Sequence, residues 1–385
     1  MEYIALNNIC DVRDGTHDSP KYVQEGFPLV TSKNIVNGKL DLSTVSYLTQ
    51  EDYDKINERS KVDEGDIIMP MIGTIGNPLL IEDFCDFAIK NVALIKFPNK
   101  EISNRFIWYF LKSGAFKKYV AEKNKGGTQK FLSLGDIRSI KVPNIEYSKQ
   151  ISVVEKLDAV YKLIAQKTEE LQLLDDLIKA RFVEMFGTLD NPADEFEKAT
   201  LKELCNKITD GKHGGCTSEE GTQRYFVGAR EIYDDEVHYD TAPEINVEEF
   251  EKDYKRCNIE IGDFLIVNTG ATIGKSAIAF DERTEHTLLQ KSVALLKVKK
   301  DKLNPVFLKW CYRVNTRMYM VESASAQPNL LLSKIKGTVI YVPSIALQNQ
   351  FADFVRAVDK SKVAVQKALD ETQILFDSLM QKYFG

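Results

Sequence analysis

The chain repeats part of its middle at its end, and that duplication restricts the fold more than any other feature. One stretch runs from Val142-Pro143 to Met185-Phe186-Gly187, and a second runs from Val342-Pro343 to Tyr383-Phe384-Gly385. The two lie roughly 200 residues apart, far beyond the periods of about 20 to 50 found in solenoids, so the repeat is a duplicated module. The order is globule, helix, globule, helix.

In the first stretch apolar residues recur three and four apart at Val154, Leu157, Tyr161, Ile164, Leu171, Ile178, Phe182 and Met185, interrupted by Thr168 and Asp175. In the second, Val355, Val358, Val365, Leu369, Phe376, Leu379 and Tyr383 do the same, interrupted by Lys362 and Thr372. A narrow stripe held over several heptads predicts a helix that packs on another long helix. At about 1.5 Å per residue, about 40 residues make a rod of roughly 60 Å, longer than one domain's core needs. The matched ends favour two helices that meet and separate the globules, over two unrelated helices each lying on its own globule. The expected layout is a first globule at 1–143, a long helix at 144–187, a hinge at 188–195, a second globule at 196–343 and a second long helix at 344–385. The fold class is α+β.

A chain of 385 residues is long enough for two cores. No apolar run approaches the roughly 18 to 20 residues of a membrane span, and Met1-Glu2-Tyr3-Ile4 is not a basic start to a signal peptide. A cytoplasmic protein is expected. Six cysteines without a Cys-x-x-Cys pair suggest neither a disulfide framework nor a zinc site, and Cys10 and Cys205 fall at matching places as buried thiols. A net charge of −6 at first disfavours a polyanionic partner. Its distribution reverses that reading. Lys96 to Lys141 holds 11 basic and 3 acidic residues, Lys297 to Tyr341 holds 9 and 2, and the two segments occupy equivalent places in the repeat. Two basic segments on an acidic body predict a polyanion touched twice.

The globules match in order. Asp14-Gly15-Thr16-His17 corresponds to Asp210-Gly211-Lys212-His213, an Asp-Gly turn signal followed each time by a histidine. Short strands then lead into loops with one cation each, Lys33 in the first copy and Arg230 in the second, both candidates for base or phosphate contact. Gly65-Asp66-Ile67-Ile68 to Gly73-Thr74-Ile75-Gly76 corresponds to Gly262-Asp263-Phe264-Leu265 to Gly270-Ala271-Thr272-Ile273-Gly274, read as a buried strand and a glycine hairpin. The second copy continues into Lys275-Ser276 and looks like a phosphate-binding loop. It has three residues between its glycines where four are needed, and Asn77-Pro78 stands in the first copy. Ahead of each long helix lies a loop of small residues, amides and hydroxyls. One holds Lys125, Thr128, Gln129 and Lys130, the other Gln327 and Asn329. Amides and hydroxyls pair with base edges, adenine's among them.

The Asp-Gly-Thr-His opening, Gly-Asp-Ile-Ile with Gly-Thr-Ile-Gly, Gly-Gly-Thr-Gln, and the Val-Pro start of each helix followed by a glutamine resemble the specificity (S) subunit of type I restriction-modification systems. The resemblance covers nearly the whole chain, and Gln150 and either Gln348 or Gln350 match the helix-start glutamine. The second loop departs from the pattern, with Ser325-Ala326-Gln327-Pro328-Asn329 where the first has Gly-Gly-Thr-Gln-Lys. The family implies two target-recognition domains, each reading half of a bipartite double-stranded DNA site, and an antiparallel helix pair that sets the spacer. It further implies two modification (M) subunits docked on the helices around Gln150, Leu171, Gln350 and Leu369. These would bring S-adenosylmethionine and methylate adenine N6. Restriction (R) subunits, using ATP and Mg, would join that complex. No methyltransferase motif, glycine-rich cofactor loop or metal cluster among four histidines suits this chain for catalysis, and no cofactor of its own is expected. Three other readings stand beside this one: the specificity subunit of a related phage-defence or type II-like methyltransferase system, a stand-alone two-domain enzyme, and a scaffold that binds only proteins.

Overall fold

The computed structural model describes residues 2–36, 38–73, 75–83, 86–124, 131–318 and 329–385. Its contacts divide the chain into two compact units, Met1–Thr168 with Lys367–Gly385, and Glu169–Gln366. The divisions fall inside the two long helices, Tyr147–Phe186 and Ile345–Phe384, and not at their ends. Each unit therefore takes in half of each helix.

The reason is in the apolar stripes. In the first unit Val153, Val154, Leu157 and Val160 share one core with Phe376, Met380 and Phe384 and with the sheet residues Ile67, Met69 and Ile95. In the second unit Ile178, Phe182 and Phe186 join Phe351, Val355 and Val358 around Phe264, Ile266 and Leu296. Full burial of each such side chain contributes roughly 1.5–3 kcal/mol, so the helix ends belong to the globules' cores. Within the second unit Asp175 meets Lys362 at 2.9 Å, and further along Phe182 meets Phe351 at a ring separation of 5.3 Å. Partners descend on one helix as they rise on the other, so these segments are antiparallel.

Both units are built on the same four-stranded antiparallel sheet. In the first its order is Asp11–Asp14, Val92–Lys96, Ile67–Pro70, Leu79–Leu80; in the second it is Cys205–Asp210, Val293–Val298, Phe264–Val267, Ser276–Ile278. Alternate residues serve opposite faces. Ile67 and Met69 face the core that holds the long helices, whereas Ile68 joins Val30, Val92 and Leu94 on the other side. Burial on both faces explains why these strands read as unbroken apolar runs. The strand before each long helix closes its globule: Lys141–Pro143 pairs with Tyr3–Ala5, and Val339–Val342 with Glu197–Thr200.

The Gly-Asp signature is a buried ion pair in each copy. Asp66 accepts from the Asp63 N–H at 2.8 Å and meets Lys96 at 2.5 Å; Asp263 accepts from the Glu260 N–H at 2.8 Å and meets Lys297 at 2.8 Å. Burial raises the pKa of both carboxyls against the pull of the lysines. These lysines open the two basic segments, and much of the remaining charge there is also engaged within the chain. Arg105 binds Asp158 at 2.6 Å, Lys123 binds Asp136 at 2.8 Å, Arg313 binds Asp235 at 2.6 Å, and Arg138 donates to the Val12 carbonyl at 2.9 Å. Lys112 lies over the rings of Trp108 and Tyr161 at 4.1 and 4.8 Å, where burial pushes its pKa down to about 8. The two basic segments therefore present less free charge than their composition suggests, because sequence clustering counts charges without showing which carboxylates face them.

Candidate nucleic-acid interface

Both Asp-Gly-x-His segments lie at the end of the first strand of the sheet. The glycine there is not needed for a positive φ, as the turn signal suggested. A Cβ on Gly15 would stand 2.2 Å from the Ile89 carbonyl oxygen, and one on Gly211 would stand 2.1 Å from that of Leu289. That close approach lets the next backbone N–H, of Thr16 or Lys212, donate to the same carbonyl at 3.0 or 2.7 Å. The histidine that follows is thereby fixed beside the aspartate.

In the first unit His17 Nε2 lies 3.0 Å from Asp14 Oδ2, and Arg59 binds the other carboxylate oxygen. In the second, His213 Nε2 lies 3.2 Å from Asp210 Oδ2, and Arg256 meets Asp210 Oδ1 at 2.5 Å. Asp14 is buried, whereas the histidine and arginine of each copy are exposed. An inward carboxylate thus holds an outward imidazole and an outward guanidinium, and the guanidinium's remaining N–H groups suit acceptors such as phosphate or base oxygens. Burial opposes ionisation of Asp210, but Arg256 and His213 outweigh it and its pKa is lowered. Hydrogen bonds that the His17 ring donates to Asn91 Oδ1 and Asp14 Oδ2 raise its pKa.

The copies differ at the other ring nitrogen. His17 Nδ1 is 2.8 Å from Asn91 Oδ1, so both nitrogens are engaged and neither is left to act as a general base. Lys291 replaces Asn91 at the matching place, one residue past the bridges Thr16 to Lys90 and Lys212 to Gln290. His213 lines a cavity of about 430 Å³ with Asp210, Asn268, Thr269, Lys291 and Asn329. His17 and Arg59 line one of about 460 Å³ with Ser19, Asp52 and Lys55.

Lys33 and Arg230 are exposed at the tips of equivalent turns, each fixed by a buried polar residue: Asn34 Oδ1 accepts from the Thr31 N–H at 2.9 Å, and Glu231 Oε2 from the Gly228 N–H at 2.8 Å. Lys275 is not in the His213 cavity. It lines another of about 590 Å³ with Asp175, Asp235, Arg313 and Lys362. The run before it joins strands Phe264–Val267 and Ser276–Ile278 as an antiparallel hairpin, which confirms that it is no phosphate-binding strand-to-helix loop. Lys125, Thr128, Gln129, Lys130 and Gln327 lie outside the described residues.

Gln150 and Gln348 are buried and face inward, which corrects the placement of Gln150 on a partner surface. Their Oε1 atoms accept from the N–H of Ser103 and of Asn304, both at 2.9 Å, at the starts of the core helices Asn104–Phe110 and Pro305–Val314. This shared geometry selects Gln348 over the exposed Gln350 as the repeat partner of Gln150. Leu171 and Leu369 are half-buried on their helices. Sequence reasoning missed Asp14 and Asp210 as the anchors, and Arg59 and Arg256 altogether. One signal was present: each arginine stands at the same distance before Gly65 or Gly262.

Residues 1–174 and 193–372 match the type I restriction modification DNA specificity domain. The chain belongs to this family. It is 25% identical over 181 residues to the specificity subunit of the type I restriction enzyme MjaVIII of Methanocaldococcus jannaschii. That match spans 45% of this chain and 42% of the relative, less than half the length of that curated protein. The fold is similar to that of the type I restriction-modification S subunit from M. genitalium, with a TM-score of 0.56 and 15% identity over 100% of this chain and 96% of the other. A chain from a structure of type I R-M complex assembly and conformational transition gives a TM-score of 0.58 and 16% identity over 100% and 97%. The specificity family accounts for the two copies of the sheet. No helix among the described residues is long and apolar enough to cross a membrane.

Proposed function

We propose that each globule of this chain reads one half of a bipartite site in double-stranded DNA, and that the two long helices set the length of the unread spacer. The recurrence of an outward His–Arg pair on an inward aspartate, once in each unit, carries this reading. Arg59 and Arg256 supply fixed positive charge for phosphate contact. Lys33 and Arg230, exposed at their turns, meet the grooves. Positioning by backbone contact and selection by base contact are separate tasks, and the two classes of residue here divide along that line.

Chemistry falls to partner subunits. Two modification subunits dock on the long helices, bind S-adenosylmethionine and methylate adenine N6 after the base is flipped out; restriction subunits with ATP and Mg join them in the cytoplasm. Exposed apolar residues on the helices support docking there: Leu177 and Leu375 stand at the same offset past Gln150 and Gln348, with 48% and 49% of their surfaces open.

The test is to express the chain with the methyltransferase genes beside it and sequence the methylated adenines. A split motif is expected, and exchanging residues 1–141 for another such domain changes one half of it only. Methylation by the chain alone, or no sequence preference with its partners present, would overturn the reading.

A further inference from the structure

The loops ahead of the two long helices return to the body at equivalent points. Phe131 forms an antiparallel bridge with Ile72, and Asn329 forms one with Thr269. The next residue is a fully buried leucine in both copies, with Leu132 donating to the Met71 carbonyl at 2.9 Å and Leu330 donating to the Asn268 carbonyl at 2.7 Å. Because neighbours in an extended segment face opposite ways, the buried leucine turns residue 131 or 329 outward. The backbone is held further in the first copy, where the Phe131 N–H donates to Asn124 Oδ1 at 2.8 Å. Phe131 nevertheless leaves 49% of its surface open and joins none of the aromatic pairs among the described residues.

A single exposed phenylalanine means little by itself. Here its counterpart is an exposed amide at the same backbone place, lining a cavity with His213 and Lys291. One rigid position thus presents a ring in one domain and a hydrogen-bonding amide in the other. Those two surfaces suit different base edges: an apolar side chain packs on the thymine methyl, and an asparagine pairs with adenine N6 and N7.

Resting on the reading of half-sites above, we propose that residues 131 and 329 are the matched position at which the two domains choose different bases, Phe131 through a thymine methyl in its half-site and Asn329 through an adenine edge in the other.

The test uses the complex of this chain with its methyltransferase subunits and duplexes of its own methylated site, in which each thymine of the first half-site is replaced in turn by uracil. Uracil lacks only the methyl group. One replacement should weaken binding about four-fold, the worth of one buried carbon at ~0.8 kcal/mol. Phe131→Ala should weaken binding similarly and abolish that uracil effect, whereas Phe131→Leu should retain part of it. Asn329→Ala should relax the motif at one position of the other half-site only. If no uracil effect depends on Phe131, or if Asn329→Ala leaves the motif unchanged, the proposal is overturned while the half-site reading stands. If the complex binds a scrambled duplex as well as its own site, both fall together.

Discussion

Replacing Gln348 by methionine keeps the side chain's length and removes its amide. That amide is fully buried: Oε1 accepts from the Asn304 N–H at 2.9 Å, and Nε2 donates to the carbonyls of Lys302 and Pro343 at 3.0 and 2.8 Å. An unpaired interior donor costs about 1–3 kcal/mol, and each carbonyl, which keeps a second lone pair, adds less. We expect a loss of roughly 3 kcal/mol in the second unit. With a urea slope of about 2 kcal/mol per molar, the midpoint should fall by roughly 1.5 M. The chain has two tryptophans, Trp108 in the first unit and Trp310 in the second, so each unit has its own fluorescent reporter. In a Trp108→Phe background, Gln348→Met should shift the Trp310 transition by that amount. In a Trp310→Phe background the Trp108 transition should move by less than about 0.3 M on the same scale. Equal shifts of both reporters, or none in Trp310, would refute the assignment of this amide to the core of one unit.

Other outcomes can be measured on the assembled complex. Because Asn91 and Asp14 raise the pKa of His17, its cation persists above the ordinary 6.5 and is lost as pH climbs through the raised value. Affinity for a duplex carrying the first half-site should therefore fall by roughly five-fold on going from acid to alkaline conditions, the loss of one positive charge beside the phosphates, worth about 1 kcal/mol in water. His17→Gln should flatten that profile; an unchanged profile would remove His17 from the interface. Arg59→Ala and Arg256→Ala should each lower the slope of log affinity against log salt by about one, with little change in preference among sequences. A constant slope would exclude phosphate contact by that residue. Inserting a heptad at matching places in both long helices adds about 10 Å, or about three base pairs of B-DNA, and should lengthen the spacer before altering either half-site. Altered half-sites with a constant spacer would contradict the measuring role of the helices.

Much of the architecture was legible in the amino-acid order. The long helices, expected over 144–187 and 344–385, span Tyr147–Phe186 and Ile345–Phe384, because an apolar stripe of helical period specifies both the helix and its buried face. The doubling was equally plain. The sheet strands Ile67–Pro70 and Phe264–Val267 also fall within runs read as buried strands. Each of these features is encoded by neighbours along the chain. The tertiary structure decided which groups meet across space. Arg59 and Arg256 reach aspartates more than 40 residues away in sequence, Gln348 and not Gln350 turns inward, and many lysines and arginines of the basic segments bind carboxylates of their own unit. Spacing along a chain fixes periodicity and hence burial; charge pairing and hydrogen bonding fall off within a few ångströms, so they depend on contacts that exist only once the sheet and helices have packed.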